Sequence, residues 1–312
     1  MSFLLIIIGM IILIKSADIF VEGSSNVAKS LGIPSLIIGL TIVAFGTSAP
    51  EAAVSVTASI KGMNEISLGN VVGSNICNLL LVLGVSGLFG SLTAKRKVIT
   101  RDFIYAIFAS IVLFILSLEY FVNKSPKGII TRTNGLILLC FLAIYMYALI
   151  GDAIKSSRTK EEKTKFKFIN IIYIIVGIIG IILGGQIVVN SATDIAKMLH
   201  ISQNIIALTI IAIGTSLPEL VTSLVAAKKK EADIAIGNVV GSNIFNIFFI
   251  LGLSSSISPI TYRMESFIDI VIMMLSSIIV YLLTLKNYRI GNKKGIILLI
   301  MYACYMTYIL VR

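Results

Sequence analysis

The chain is predicted to be an all-α polytopic membrane protein whose ten transmembrane helices form two inverted-topology repeats of five. Composition is the first observation: 57% of the 312 residues are hydrophobic and 13% charged. The mean hydropathy is +1.01, so there is more apolar side chain than a soluble core of this length would bury. The second is an internal duplication. Ala44-Phe45-Gly46-Thr47-Ser48-Ala49-Pro50-Glu51 returns 168 positions later as Ala212-Ile213-Gly214-Thr215-Ser216-Leu217-Pro218-Glu219. Gly69-Asn70-Val71-Val72-Gly73-Ser74-Asn75-Ile76 returns unchanged as Gly237-Asn238-Val239-Val240-Gly241-Ser242-Asn243-Ile244, and Asn78 is answered by Asn246. The third is the distribution of basic residues.

Apolar stretches of about 20 residues, enough to cross a bilayer, fall near 3–22, 35–60, 67–90, 102–121, 134–151, 168–190, 203–227, 234–257, 266–285 and 295–311. Five spans per copy is an odd number, so the second copy must cross in the opposite sense. The first repeat is placed at 1–151, a charged cytoplasmic linker at 152–167 and the second repeat at 168–312. With both termini outside, the inside loops hold 18 Lys and Arg residues and the outside loops 7, the bias of the positive-inside rule. Lys29, Lys228, Lys229 and Lys230 belong to the inside set; Lys61, Lys197 and Arg263 belong to the outside set.

The net charge of +11 is thereby assigned to solvated loops of an integral protein, with the plasma (inner) membrane as the expected location, and no nucleic-acid partner is needed. The first apolar stretch lacks a basic start and has a span as its counterpart, so it is expected to be retained rather than cleaved as a signal. Cys77, Cys140 and Cys304 all fall within spans and suggest neither disulfides nor zinc, and His200 is placed in a loop. The linker is too short to hold a folded regulatory domain.

The polar chemistry is concentrated in the second and third span of each repeat. On a helix, Thr47 and Ser48 lie four and three residues before Glu51, so hydroxyl and carboxylate oxygens converge on one face; Thr215, Ser216 and Glu219 repeat the spacing. Pro50 and Pro218 lack an N–H, free a carbonyl one turn back and kink the helix. Asn70, Ser74 and Asn78 recur every four residues, with Gly69 and Gly73 as a small-residue seam, and Asn238, Ser242 and Asn246 repeat that stripe. Asn70 and Asn238 can equally serve to tie helices together.

Inverted repeats bring equivalent helices together near the midplane, so Glu51 and Glu219 are expected to face each other. Two unpaired acids there would repel, and a hard cation removes that penalty. Carboxylate, hydroxyl, amide and backbone oxygens suit the six to eight donors that Ca²⁺ takes, and no thiolate or imidazole is placed to favour a softer metal. Asp18 and Glu22 align with Gln186 and Asn190 and so break the symmetry; they are expected to have a structural or water-facing role. No Ser-Lys, Ser-His or Asp-Asp arrangement for hydrolysis lies in the spans, and the chain is not expected to be an enzyme. A cation channel could use the same acid pair, but its flux would not require a counter-ion on the opposite side.

The paired Gly-Thr-Ser-x-Pro-Glu and Gly-Asn-x-x-Gly-Ser-Asn motifs resemble the two alpha-repeats of sodium/calcium exchangers, within the calcium/cation antiporter superfamily, over essentially the whole chain. The resemblance implies ten helices in inverted halves and secondary antiport of Na⁺ for Ca²⁺ by alternating access, the first and sixth spans sliding across a core that holds the ions. Gly23, Gly184, Gly185, Ser191 and Ala192 permit such sliding. By position, it implies that Glu51 and Glu219 are central calcium ligands, with backbone oxygens near Ala44, Thr47, Ala212 and Thr215. Ser48, Ser74, Ser216 and Ser242 match residues lining the flanking sodium sites. Some family members carry an Asp where Asn246 stands, and calcium/proton exchangers carry extra acids after the Gly-Asn motif. Asn78 and Asn246 are both neutral here, which favours sodium over potassium or proton coupling; a Ca²⁺/H⁺ or other cation/proton antiporter and a K⁺-dependent exchanger are the alternatives. Three Na⁺ for one Ca²⁺ would make the cycle electrogenic. Na⁺ and Ca²⁺ are substrates, no cofactor is expected, and one chain holding both repeats is expected to suffice.

Overall fold

The computed structural model describes residues 2–90, 92–93, 96, 98–118, 128–158, 165–199, 212–285 and 287–311. The helices are α1 (Ser2–Leu31), α2 (Ser35–Thr47), α3 (Ala49–Ile60), α4 (Asn64–Phe89), α5 (Ile99–Ser117), α6 (Arg132–Arg158), α7 (Ile169–Met198), α8 (Ala212–Thr215), α9 (Leu217–Lys228), α10 (Ala232–Ile257), α11 (Met264–Leu285) and α12 (Asn292–Val311). Each of α1 to α6 has its repeat partner six labels later. Among the described residues, eight single helices and the bent pair α2–α3 are long and apolar enough to span a bilayer. The first part of the span expected at 203–227 lies outside the described residues, as do His200 and residues 159–164 of the linker.

Apolar length predicts spans but not helix ends. Helix α1 runs nine residues beyond the span expected at 3–22, because its polar last turns pack against other helices instead of entering solvent. Helix α6 likewise continues past 151 into the stretch expected as linker; Asp152 is held there by Arg101, which also pairs with the buried Asp102.

Helices α1 and α7 run antiparallel in close contact, as inverted copies must. Small residues allow this: a Cβ on Gly184 would lie 2.8 Å from the backbone nitrogen of Leu13, and one on Gly23 would lie 2.8 Å from the Asn170 carbonyl oxygen. Two antiparallel ribbons interlock the repeats. Strand β1 (Leu92–Thr93), after α4, pairs with β4 (Arg289–Ile290), before α12; β2 (Gly128–Ile130), before α6, pairs with β3 (Ile260–Tyr262), after α10. The same exchange places α12 against α4 and α6 against α10.

The loops sort onto two ends of the bundle. At one end Lys29, Lys229, β1 and β4 meet the α9–α10 turn; at the other Asn64 donates to Pro259 O at 2.6 Å and Arg263 pairs with Glu65. Basic residues assigned to inside loops and those assigned to outside loops therefore occupy opposite ends. The most buried elements are α4 and α10, which lie at the centre.

Candidate functional site

Each repeat breaks its second span at one serine. Ser48 leaves helical geometry at φ −82°, ψ 7°, and α2 and α3 meet at a 49° bend. Ser216 repeats the break at φ −87°, ψ 5°. Pro50 and Pro218 sit in the first turn that follows, where a missing N–H removes no helical bond. Ser48 N–H still closes on the Ala44 carbonyl oxygen at 3.0 Å, whereas Pro50 has no N–H to offer the Gly46 carbonyl one turn back. Glu51 and Glu219 occupy the same first turns and are fully buried, at 0% exposure each.

The break overturns the expectation that the hydroxyl of each serine converges with the carboxylate three residues along on one face of its own helix. Ser48 Oγ donates to Glu219 Oε1 at 2.8 Å, and Ser216 Oγ donates to Glu51 Oε1 at 3.5 Å. The bend carries the hydroxyl off its own helix face and across the axis between the repeats. From the third spans, Ser74 donates to Glu51 Oε1 and Ser242 to Glu219 Oε1, both at 3.5 Å. Ser242 also lies 2.9 Å from Ser48 Oγ and 3.4 Å from the Ala44 carbonyl oxygen. The two acids and four serines therefore form two triads, Glu219 with Ser48 and Ser242 and Glu51 with Ser216 and Ser74, each joining a serine of one repeat to the acid and serine of the other.

Thr47 and Thr215 point elsewhere. Their hydroxyls donate to Asn238 Oδ1 at 2.9 Å and Asn70 Oδ1 at 3.5 Å, again across repeats. Asn70 Nδ2 in turn donates to Glu51 O and Ser55 Oγ, and Asn238 Nδ2 to Glu219 O and Ser223 Oγ. Asn70 and Asn238 thus brace the backbone at each break, the tying role noted from sequence. Ala44 and Ala212 open the short helical segments that end at the breaks; the Ala212 side chain is not among those described.

Asn78 and Asn246 are fully buried and lie in matched π-helical turns, Cys77–Val82 and Asn246–Leu251. Such single-turn insertions into α-helices are frequent at functional sites; hydropathy gave no sign of them. The axis between repeats is marked by two residues that sequence reasoning missed as site elements. Asn75 Nδ2 donates to Asn243 O at 3.2 Å and Asn243 Nδ2 to Asn75 O at 3.5 Å, while Asn246 Nδ2 donates to Asn75 Oδ1 at 3.0 Å. Their identical place in the duplicated motif was the available signal. The seam at Gly237 and Gly241 packs against α2, a Cβ on Gly241 lying 2.7 Å from Leu40 O. Its counterpart surface for Gly69 and Gly73 would fall at 204–208, outside the described residues.

Hydrogen bonding leaves acceptors over. Glu51 Oε2, Glu219 Oε2, Asn78 Oδ1 and Asn246 Oδ1 are buried without a hydrogen-bond partner. Buried polar atoms are rarely left in this condition; one oxygen from each carboxylate and one from each amide make four acceptors, a set that fits a cation, and Asn78 Nδ2 is left over with them. The donors are all oxygen, which suits Na⁺ and Ca²⁺. A cavity of about 300 Å³ adjoins the cluster, lined by Pro50, Val54, Gln186, Asn190, Thr215 and Pro218 among others. It lies on the side toward Ile60 and Met198, the ends of α3 and α7.

An integral membrane protein with inverted repeats, broken helices and a polar centre at their interface has the architecture of a secondary transporter. The chain belongs to the sodium/calcium exchanger protein family, whose profile matches residues 1–151 and 169–311. Sodium/calcium exchanger MaX1 of Methanosarcina acetivorans is 31% identical over 340 aligned positions, covering 98% of this chain and 97% of its own. Inner membrane protein YrbG of Escherichia coli is 36% identical over 266 positions, covering 82% and 79%. The solved structure of the sodium-calcium exchanger NCX_Mj soaked with zero Na⁺ and Ca²⁺ matches with a TM-score of 0.85 at 30% identity over 98% of both chains. This is a family of transporters rather than enzymes.

Proposed function

We propose that this chain exchanges Na⁺ for Ca²⁺ across the plasma (inner) membrane by alternating access, with both termini outside. The observation that carries the reading is the cross-wiring of Glu51 and Glu219, each fully buried and each with one carboxylate oxygen left without a partner. The pair brings two negative charges to one place, which one Ca²⁺ or two Na⁺ neutralise. Ions that must share the same carboxylates displace one another, and displacement of one by the other is exchange.

In this reading Glu51 and Glu219 hold Ca²⁺, helped by backbone oxygens near Ala44, Thr47, Ala212 and Thr215. Ser48, Ser74, Ser216 and Ser242 join the same carboxylates in holding Na⁺ at flanking positions. Asn78 and Asn246 add neutral oxygens, and their lack of charge favours sodium over potassium or proton coupling. Three Na⁺ carry more charge than the two acids neutralise, so the cycle moves net charge. Helices α1 and α7, joined along their glycine seam, move as one body over the buried core of α4 and α10.

Calcium-45 uptake into proteoliposomes, with sodium, potassium and proton gradients imposed in turn, tests the assignment. Uptake is expected only against an outward sodium gradient, it should respond to membrane potential, and it should be lost in Glu51→Gln and Glu219→Gln. Uptake driven by a pH gradient without sodium, or undiminished in either variant, would overturn it.

A further inference from the structure

The repeat-related halves of the ion path differ in one cluster of charges. At the end carrying the α9–α10 turn, Lys229 Nζ lies 2.9 Å from Asp18 Oδ1 and 3.7 Å from Glu22 Oε2, and it donates to Asp18 O at 2.9 Å. Two residues on, Glu231 Oε1 accepts from Ser25 Oγ at 2.6 Å and faces Lys29 Nζ at 3.5 Å. The turn is thus stapled to α1 on both sides of Lys230. Val21, Glu22, Ser25, Lys29, Lys229 and Glu231 line a polar recess of about 230 Å³ at this mouth.

The opposite mouth lacks the acids of this staple at the matching positions. The counterpart of Lys229 is Lys61, but the counterparts of Asp18 and Glu22 are Gln186 and Asn190, and that of Glu231 is Met63. The two half-paths differ accordingly. Val54 is 39% exposed, and it lines the 300 Å³ cavity together with Val189 and Thr215. Their repeat partners Thr222, Val21 and Thr47 are 0%, 0% and 1% exposed.

We propose that Lys229 is a tethered cation that latches one face of the transporter shut by pairing with Asp18 and Glu22, and that these pairs must part for that face to open. The proposal rests on the alternating-access reading above. The latch joins α1, part of the moving body, to the turn between two core helices, so it is made in one access state and broken in the other. Among the described residues the turn at Lys61 shows no such pair with α7, which biases the resting protein toward the state seen here. Each pair is part-exposed and individually weak; together with the bond to the Asp18 carbonyl they hold a population ratio of about tenfold.

The test uses the full chain in proteoliposomes with Cys140 and Cys304 replaced by serine and a reporter cysteine at Thr222 or Val54. A membrane-impermeant maleimide is applied from each side in turn. Lys229→Gln is expected to raise labelling at position 222 by about fivefold or more and to lower it at position 54. Lys229→Arg should label as the parent does, and so should Lys61→Gln. Unchanged labelling in Lys229→Gln, or labelling in Lys229→Arg that matches Lys229→Gln, would overturn the latch. Labelling does not depend on which ions are carried, so a latch that responds in a protein without sodium-driven calcium uptake would reject the exchange reading alone. Size-exclusion profiles of each variant separate opening from misfolding.

Discussion

Ser48 is bonded to Glu219, not to Glu51: its hydroxyl stands 2.8 Å from a carboxylate 171 positions away and serves the opposite repeat. The reciprocal bond from Ser216 to Glu51 is longer, at 3.5 Å. The two halves of the cluster are therefore related by sequence but unequal in strength.

That inequality predicts unequal serine variants. Ser48→Ala removes a short bond to a buried carboxylate and a contact with Ser242, whereas Ser216→Ala removes one long bond. Hydrogen bonds to charged groups contribute roughly 1.5–3 kcal/mol, so Ser48→Ala is expected to weaken apparent ion affinity by about tenfold or more. Ser216→Ala should do so by less. Concentration dependence of sodium-driven calcium-45 uptake reads both, and equal effects would contradict the asymmetry.

Glu51→Gln and Glu219→Gln should leave the fold intact while removing stabilisation by calcium. A ligand that binds only the folded state stabilises it by about 2.7 kcal/mol at one hundred times its dissociation constant. Thermal melts in detergent should shift upward with Ca²⁺ for the parent and not for either variant. A calcium-dependent shift retained in both variants would place the ion elsewhere.

The axis residues should be unequal too. Asn75→Ala strips partners from the Asn243 carbonyl and the Asn246 amide, and each buried polar group left unpaired costs about 1–3 kcal/mol. Asn243→Ala removes the side-chain bond to the Asn75 carbonyl, a longer one at 3.5 Å. Asn75→Ala is expected to melt at the lower temperature.

The two inter-helix turns differ in backbone cost. Gly62 turns at φ 71°, and its counterpart Lys230 holds φ 63°, a left-handed conformation that disfavours any residue with a Cβ by roughly 1–2 kcal/mol. Nothing lies within 4 Å of a Cβ built on Gly62, so Gly62→Ala should destabilise through its dihedral angle alone, by about 1 kcal/mol. Lys230→Gly should raise the melting temperature slightly and leave the ion pairs of Lys229 in place. A melting temperature lowered by Lys230→Gly would refute this account of the turn.

Much of the architecture is legible in the amino-acid sequence. Hydropathy located the eight single spans and the bent pair found among the described residues, because a helix crossing lipid needs about 20 mostly apolar residues, and the 168-residue offset paired Glu51 with Glu219 and Asn75 with Asn243. Asn70 and Asn238 were recognised as possible ties, and they prove to brace the breaks. Local spacing misled at Ser48, because counting residues along a helix assumes that the helix continues. The π-helical turns were invisible because one inserted residue leaves hydropathy unchanged. Asp18 and Glu22 stood out as breaking the symmetry, yet nothing in their spacing named Lys229 as their partner.

The sequence alone determined that this protein is a duplicated membrane bundle whose repeated motif carries one glutamate in each copy, since burial in lipid follows from composition and the pairing of the two glutamates from the offset. Only the tertiary structure decided which hydroxyl meets which carboxylate and which mouth is latched. Those pairings depend on how bent helices cross one another, and a crossing joins residues that no local spacing relates.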